Sequence, residues 1–386
     1  MKILMLSFNQ RGKGTWLRAF NLANELVNSG NQVTLLCSDG SNSKKDSLIE
    51  HTNGLVEVNF HPTFPGKYLH GWDLGEAARR RNWLKRRKFD IVHVFEHRPT
   101  NQIPALFSQK QGALMISDWA DWLGKGGSVE ERRKLLLKTL LSCPETMFEE
   151  SGRKKASGCT AINLALYQKA KNLGFPEGKL LWLPNGYYNS QLTATPIKTA
   201  RKILGLSEDV FLVGYLGTCF YSDSLIMQNT LQQAASENQK IKFLQIGKNK
   251  FCPKNMNNLI NVGLVSIENL SLYLSACNVF WLPLADTGAN AGRSPYKFGD
   301  YLTIGRPIIS TNVGDQANLI KDYNLGLITN DSAKSLFAAI QFLNSDIKTC
   351  EELGHNAYNF ARIDENSWQE KGRKLNAFYC RLQKEI

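Results

Sequence analysis

The stretch KILMLSFNQRGKGTWLRAFNLANELVNSGNQVTLLC, residues 2–37, decides the class of fold. Its two ends, KILMLS and QVTLLC, are apolar and β-like, and a glycine-containing loop and a helical pattern separate them. In the helical part, apolar residues recur at the spacing of a buried helix face: Trp16, Phe20, Ala23 and Val27. Strand, helix and strand in this order form a βαβ unit, so the sequence predicts a parallel sheet.

The same alternation continues along the chain and restarts once. Further apolar, strand-like runs follow at 90–95, 113–118, 159–163 and 180–184. After a polar, turn-rich segment, a second set of such runs lies at 210–217, 242–247, 259–265, 278–284 and 306–311. At 386 residues the chain is long enough for two domains. The predicted fold class is therefore α/β, with two Rossmann-like doubly wound domains facing a cleft.

The composition is typical of a soluble globular protein, with 42% hydrophobic and 21% charged residues. No apolar run reaches the roughly 20 residues of a membrane-spanning helix, and the first ten residues lack the apolar core of a signal peptide. We therefore expect a cytoplasmic protein. The eight cysteines occur singly, without a C-x-x-C pair or a histidine cluster, so no metal site is expected.

The chain is strongly basic, with a formal net charge of +13, which predicts attraction to an anionic partner. Seven of the ten residues in RRRNWLKRRK, residues 79–88, are basic, and on a helix they would point in nearly every direction. Three interpretations stay open: a solvated surface helix, peripheral docking on anionic lipid at the inner membrane face, and a nucleic-acid contact. The last is disfavoured because no known nucleic-acid-binding motif accompanies the charge, so no nucleic-acid partner is expected.

A second stretch, NAGRSPYKFGDYLTIGRPIIST at 290–311, predicts a short helix, a glycine cap and a buried strand. Pro295 suits the first helical turn, which would place Arg293 and Lys297 at the positive end of the helix. There, two cations and free backbone N–H groups would clamp a nucleotide diphosphate without a metal, and Asp300 would accept hydrogen bonds from sugar hydroxyls. The alternative is an ordinary ion pair between Lys297 and Asp300, three residues apart.

The loop after the first strand is another candidate for binding an anion. Gly12 and Gly14 lie directly before a helix, where bare backbone N–H groups and the helix dipole favour negative charge. A dinucleotide fingerprint would require a third glycine at position 17, which is Leu17 here. A phosphate or substrate contact and a plain tight turn both stay open. Arg18, one turn into the helix, is able to point back to the same loop.

These blocks together resemble the large retaining family of GT-B glycosyltransferases. Four stretches are similar to the family's characteristic blocks and occur in its order: GKGTWLRAFNLANELVNSGNQVTLL, FDIVHV, LPNGYYN and NAGRSPYKFGDYLTIGRPIIST. The resemblance implies three parts: an N-terminal Rossmann-like acceptor domain over 1–190, a C-terminal Rossmann-like donor domain over 191–365, and a helix over 366–386 that packs back towards the N-terminal domain.

Carried over to this sequence, the resemblance implies a set of donor-binding residues. These are Arg293 and Lys297 on the pyrophosphate, Asp300 on the ribose, and Gly14 on the distal phosphate with Gly12 beside it. The first of the family's two glutamates falls at Gly292 here, and the family's usual arginine and lysine are absent from GYLGTCFYSDS, residues 214–224. Lys248, after the next strand, is the expected substitute cation. Lys297 and Arg293 would also be catalytic, because they would stabilise the departing pyrophosphate.

The candidate acceptor site is the segment ISDWADWLGKGG, residues 116–127, which follows a predicted strand. Its carboxylates are suited to orient or deprotonate a hydroxyl, and its two tryptophans either stack on a sugar or belong to the core. We expect Asp118 to contact the acceptor and act in catalysis, with Asp121 second. His97 and Arg18 are expected nearby.

The expected function is transfer of a sugar from a nucleotide-diphosphate donor to a hydroxyl acceptor. The resemblance implies retention of the anomeric configuration and a reaction that needs neither a metal nor a cofactor, the nucleotide sugar being a substrate. The acceptor class stays open between a glycan, a lipid-linked molecule and a small molecule. Two other functions also stay open: a GT-B nucleotide-sugar epimerase, and a basic nucleic-acid-binding protein.

Overall fold

The computed structural model describes residues 1–40, 42, 44–131, 135–238, 240–248 and 256–385, with the backbone but not the side chain of residue 137. The chain forms two compact units. The first comprises Met1–Glu130, Lys134–Asn185 and Trp368–Ile386, and the second comprises Gly186–Ser367 together with the short piece Glu131–Arg133. The last helix of the chain therefore groups with the first unit.

The first unit is built on an eight-stranded sheet. Its strands are β1 (Lys2–Gln10), β2 (Gln32–Ser38), β3 (Ser47–Glu50), β4 (Val56–Phe60), β5 (Ile91–Phe95), β6 (Leu114–Trp119), β7 (Gly158–Ala161) and β8 (Leu180–Trp182). They lie in the order β3-β4-β2-β1-β5-β6-β7-β8, and only the β3–β4 pair is antiparallel. Its first helices are α1 (Thr15–Asn28), α2 (Leu74–Leu84), α3 (Pro99–Lys110), α4 (Leu135–Arg153) and α5 (Leu164–Asn172).

The second unit is built on a six-stranded parallel sheet. Its strands are β9 (Phe211–Leu216), β10 (Ile241–Ile246), β11 (Leu259–Gly263), β12 (Val279–Leu282), β13 (Ile308–Thr311) and β14 (Gly326–Thr329), in the order β11-β10-β9-β12-β13-β14. Its helices are α6 (Ile197–Leu204), α7 (Tyr221–Glu237), α8 (Ile267–Ser275), α9 (Gly288–Ala291), α10 (Lys297–Ile304), α11 (Asp315–Asp322), α12 (Ala333–Ser345) and α13 (Ile347–Ala361). The final helix, α14 (Trp368–Gln383), belongs to the first unit. Two α/β units, each with a mainly parallel sheet, confirm the predicted fold class.

The predicted βαβ unit forms because one face of α1 is apolar along its whole length. The buried side chains of this face pack with β1 and β2 and with α14; they include Trp16, Ala19, Leu22, Ala23 and Leu26. Gly30 then ends the helix with a left-handed φ of 81°, which lets the chain turn into β2.

The basic stretch 79–88 differs from its prediction. Helix α2 ends at Leu84, so the last four residues of the stretch follow the helix instead of forming part of it. Arg80 is fully buried, and its guanidinium pairs with Glu76 at 2.6 Å and donates to the Ser7 carbonyl at 3.0 Å. The expectation that these cations point in all directions was wrong for Arg80, because an acid one turn earlier holds it inside the domain.

No helix within the described ranges is long and apolar enough to cross a membrane.

Candidate functional site

In the second unit, a glycine follows the carboxyl end of each of the neighbouring strands β9 and β10. Gly217 follows β9 with a φ of 83°, and Gly247 follows β10 with a φ of 92°. A Cβ atom on Gly247 would lie only 3.3 Å from the Gly217 Cα atom, so side chains here would crowd each other. Ligands of parallel α/β sheets bind beyond this edge of the sheet. The two glycines therefore let the two loops pack closely, with their N–H groups donating to the Ile246 and Gly263 carbonyls at 2.7 and 2.6 Å, and they leave an open surface in front of Gly217.

Lys297, the first residue of α10, lies beside this surface. Its ammonium donates to the Thr218 carbonyl at 3.1 Å and lies 3.7 Å from the centre of the Tyr215 ring. Burial, and then the nearby charge of Arg293, lower the pKa of Lys297 to about 7. The alternative of an ion pair with Asp300 is wrong, since the ammonium is engaged with the loop after β9 instead.

Arg293 precedes the same helix and points to the same edge. Its Nη2 atom is 3.0 Å from Asp223 Oδ2, and its guanidinium lies over the Phe220 ring at 4.3 Å. The Nε–H group of Arg293 is buried and has no hydrogen-bond partner among the residues that the structure describes. This cation is therefore fixed in place while part of its donor capacity is unused.

Asp223, on the first turn of α7, joins the loops around this cluster. Its carboxylate is almost completely buried. Oδ2 accepts from the Phe220 N–H at 3.1 Å as well as from Arg293, and Oδ1 accepts from the Ala285 N–H at 3.0 Å and from Asn290 Nδ2 at 2.7 Å. The sequence prediction missed this residue. The sequence does contain a clue to this residue. Asp223 is an acid at the start of a helix, inside the segment that lacks the family's usual cations.

Asp300, the last of the predicted residues on α10, is buried next to the cluster. Its Oδ1 accepts from Asn189 Nδ2 at 2.8 Å, and burial raises its pKa to about 6. Lys248 is exposed directly after Gly247. The structure thus brings Arg293, Lys297 and Asp300 to one edge of the second unit, and the binding of a diphosphate by these residues stays a prediction.

In the first unit, the loop between β1 and α1 is exposed. Gly12 and Gly14 both have positive φ, and a Cβ atom on Gly14 would lie 3.0 Å from the Asn9 side chain. Asn9 in turn donates to Thr15 Oγ1 at 2.5 Å, which fixes the entry into α1. The loop is thus a tight, glycine-dependent turn, and the contact with a phosphate stays a prediction.

Arg18 and Asp118 form a buried ion pair instead of an accessible site. Arg18 Nη2 lies 2.8 Å from Asp118 Oδ2, which also accepts from Thr160 Oγ1 at 2.6 Å, and both side chains are almost completely shielded from solvent. Burial alone would raise the pKa of Asp118, but Arg18 holds it below its ordinary value. The predicted contact of these two residues with the acceptor is therefore corrected: both are engaged inside the domain.

The other two acceptor candidates differ from each other. His97 is fully buried, shares a hydrogen bond of 2.9 Å with Ser117 Oγ, and has a pKa far below its ordinary value because of burial. It is a neutral core residue, so its predicted acceptor role is corrected too. Asp121 is half-buried at the carboxyl end of β6, and its backbone N–H donates to Glu96 Oε1 at 2.8 Å. Asp121 remains the accessible acid of this segment.

Glu96 was not predicted, and it organises this end of the first sheet. It is fully buried and has a φ of 68°, which is unusual for a residue other than glycine. Its carboxylate accepts hydrogen bonds from the backbone N–H groups of Asp121 and, at 2.6 Å, of Ala120, and it forms an ion pair with Arg153 at 2.8 Å. Across the part of the chain that is described, no cluster of three or more histidine, cysteine or acidic side chains is arranged to hold a metal.

Two domain families match the sequence. Residues 13–188 match the family described as Glycosyltransferase Family 4, and residues 198–346 match the family described as Glycosyl transferases group 1. The first match covers β2–β8, and the second covers β9–β14 and the Arg293–Lys297 cluster. No curated protein matches the sequence significantly.

Solved structures share the fold along the whole chain. A sucrose-phosphate synthase from Thermosynechococcus elongatus is 16% identical, with a TM-score of 0.76 and 100% of both chains covered. HepE from Anabaena, in complex with UDP-glucose, is 13% identical over 98% of each chain, with a TM-score of 0.69. WaaG, a glycosyltransferase involved in lipopolysaccharide biosynthesis, is 16% identical over 97% of this chain and 99% of its own, with a TM-score of 0.69.

Proposed function

Because this chain is a glycosyltransferase of the GT-B type, with a Family 4 domain followed by a group 1 domain, we propose that it transfers a sugar from a nucleoside-diphosphate donor to a hydroxyl group. One observation carries the proposal. Two cations, Arg293 and Lys297, lie at the edge of the second sheet beside the loop that begins at Gly217, where an added Cβ atom would meet only the Lys297 Nζ atom, at 4.0 Å. A pyrophosphate placed there would meet both charges.

Those cations are suited to stabilise a leaving group. When the bond between the anomeric carbon and the β-phosphate oxygen breaks, negative charge grows on the diphosphate, and Lys297 and Arg293 lie where that charge would develop. The acceptor oxygen forms the new bond to the same carbon. Its proton passes to the departing phosphate oxygen. Attack on the face from which the diphosphate leaves retains the anomeric configuration, and two side-chain cations take the place of a metal.

The complex of HepE with UDP-glucose supports a UDP-hexose as the first donor to test. On the acceptor side, Asp121 is the accessible carboxylate at the end of β6, and we assign it to orienting the acceptor hydroxyl. The acceptor classes that fit are a glycan, a lipid-linked molecule and a small molecule. The protein would act inside the cell, at or near the inner membrane face.

A thermal-shift screen against UDP, GDP, ADP and TDP sugars tests the donor. A sugar nucleotide that binds the folded protein raises its melting temperature, and we expect one base to stand out. Lys297→Met should abolish that shift and reduce kcat/KM by about a hundredfold or more, because one donor to the developing charge is removed.

Lys321→Met is the matched control, since Lys321 is an exposed lysine at the end of α11 in the same unit. It should keep both the shift and the activity. If no sugar nucleotide shifts the wild-type protein, or if Lys297→Met binds the donor as well as Lys321→Met does, the proposed donor site is wrong.

A further inference from the structure

Helix α4 is attached to its domain by charged side chains. Glu145, Glu149 and Arg153 recur at every fourth position and are all buried. Glu145 pairs with Arg98 at 2.8 Å, Arg153 pairs with Glu96 at 2.8 Å, and Glu149 accepts from Trp119 Nε1 at 2.8 Å. The inward face of this helix is thus largely polar, held by ion pairs and hydrogen bonds, with Phe148 packed against Trp72 at 5.2 Å between the ring centres.

The opposite face of α4 is apolar and exposed. Leu136, Leu140 and Met147 are 71%, 61% and 54% exposed, and Cys143, between them, is exposed as well. Their spacing of four, three and four residues places them in one row, and at about 100° per residue this row lies on the side of the helix away from Glu145. We call these four residues the α4 stripe.

This arrangement reverses the usual amphipathic helix of a globular protein, in which the apolar side faces the core. Scattered exposed leucines need no explanation, but a continuous row without a charged residue indicates a contact surface. The α4 stripe spans about 16 Å along the helix, at 1.5 Å per residue. It is long and narrow, which suits a helix that lies in the plane of a lipid interface.

Lysines lie beside the α4 stripe and after the end of its helix. A groove of about 650 Å³ runs beside it, with Lys125 and Lys138 among its lining residues and Glu130 paired with Lys138. Lys154 and Lys155 are exposed just after the end of the helix. With a net charge of +13, two copies of this chain would repel each other at such a surface, whereas anionic lipid headgroups would be attracted.

We propose that α4 is a membrane-docking helix: the α4 stripe enters the boundary between headgroups and acyl chains of an anionic bilayer, and the nearby lysines contact the headgroups. This places membrane contact on α4 instead of on the basic stretch 79–88. The proposal does not depend on the chemistry of the donor site, so either one can fail without the other.

Co-sedimentation with vesicles tests the proposal. We expect the wild-type protein to bind phosphatidylcholine vesicles that contain about one quarter phosphatidylglycerol, and to bind pure phosphatidylcholine far less. The double variant Leu136→Glu/Leu140→Glu should lower the partition coefficient at least about tenfold, because it places two charges in the apolar face. Both side chains are exposed, so the variant should fold, which its melting temperature will show.

The matched control is Ile203→Glu/Leu264→Glu in the second unit. Its two side chains are 61% and 71% exposed, so it introduces the same charges at equally exposed apolar positions. It should bind vesicles nearly as well as the wild type. Equal loss in both double variants would show that added negative charge alone prevents binding, and would overturn the proposal.

The exposed cysteines provide a positional readout. An environment-sensitive fluorophore on Cys143, with Cys252 and Cys380 replaced by serine, should shift to the blue when anionic vesicles are added. The same probe on Cys380, with Cys143 and Cys252 replaced, should not shift.

Three results would overturn the proposal: no binding of the wild-type protein to anionic vesicles, a blue shift only at Cys380, or loss of binding in Arg86→Glu/Lys88→Glu but not in Leu136→Glu/Leu140→Glu. Sedimentation velocity tests whether a second copy of this chain, instead of lipid, binds the α4 stripe. A wild-type dimer that Leu136→Glu/Leu140→Glu dissociates, without any vesicle binding, would assign the α4 stripe to self-association instead.

Discussion

Two side chains of the donor cluster have pKa values that burial moves in opposite directions. The pKa of Lys297 falls to about 7, and the pKa of Asp300 rises to about 6. In both cases the low-dielectric surroundings disfavour the charged form. Lys297 is therefore close to half-protonated at neutral pH in the free protein. A bound diphosphate would supply the negative charge that stabilises its protonated form.

This pKa predicts how donor affinity depends on pH. Below pH 7 the ammonium of Lys297 is already present, so binding a diphosphate takes up no proton there. Above pH 7 the free protein has lost that proton, and binding must recover it. We expect the Kd of the preferred nucleoside diphosphate to rise by up to about tenfold per pH unit between about pH 7.5 and 9. Calorimetry in buffers of different ionisation enthalpy should show proton uptake over the same range.

Lys297→Arg is the control for this pH dependence, because a guanidinium stays protonated over the whole range. It should bind with a nearly flat Kd between about pH 7.5 and 9. A flat profile in the wild-type protein, or the same slope in Lys297→Arg, would show that another group titrates.

At the scale of elements, Asp223 connects three segments that approach the donor cluster separately. It lies on α7, and its carboxylate accepts hydrogen bonds from the loop after β12, from α9 and from Arg293 before α10. Four donors converge on two oxygens in the interior. A buried charge in such a position is costly to remove, because its partners are left without an acceptor.

We predict that Asp223 acts on the donor through Arg293. Asp223→Asn should raise the donor KM about tenfold or more, since the guanidinium loses the anion that holds it in place. In the double variant Asp223→Asn/Arg293→Met, the loss in kcat/KM should be no larger than in Arg293→Met alone. Asp322→Asn, at an exposed acid ending α11, is the control and should leave the kinetics unchanged.

Additive losses in the double variant would contradict this role and would indicate that Asp223 contacts the substrate itself or supports the fold only. Melting temperatures of the single variants separate the last case. A large decrease in melting temperature with an unchanged donor KM would identify a purely structural residue.

The elements that the sequence predicted well are those with a local signal. Helix α1 forms where the apolar spacing predicted a helix, because one apolar face runs from Trp16 to Leu26 between glycine-containing loops. Helix α10 ends at Ile304 and is followed by Gly305 in the left-handed region, with a φ of 75°, as the predicted glycine cap requires. The strands β3, β4 and β14 were missed because their short sequences, SLIE, VEVNF and GLIT, contain charged or polar residues or glycine, so none carries the long apolar run of the central strands.

Site residues that depend on distant partners were not predictable in the same way. Asp118 lies near the carboxyl end of an apolar strand, as a catalytic acid would, but Arg18, 100 positions earlier, forms a buried ion pair with its carboxylate. The grouping of Arg293 with Lys297 was predictable because both lie at the start of one short helix. That Asp223 holds Arg293 was not, since the two are 70 positions apart and nothing in either segment specifies the pairing.

At the scale of the whole molecule, the first unit needs both ends of the chain. Four side chains of α14 belong to the same core cluster as Trp16 and Leu22 of α1; they are Leu375, Phe378, Tyr379 and Leu382. The Tyr379 hydroxyl also hydrogen-bonds His93 Nδ1, on β5, at 2.6 Å. Because the second unit lies between these parts in the sequence, the first core is complete only after α14 has been synthesised.

The last prediction follows from this arrangement. Phe378→Ala should lower the free energy of unfolding of the first unit by about 3–5 kcal/mol, because it leaves a cavity beside Gly158. Hydrogen exchange should then accelerate about a hundredfold or more in β1 and β5 but stay unchanged in β9 and β12. Lys374→Ala, one turn earlier on the exposed side of α14, should change neither. Faster exchange confined to the second unit would show that α14 stabilises that unit, and equal acceleration in both would show that the two unfold together.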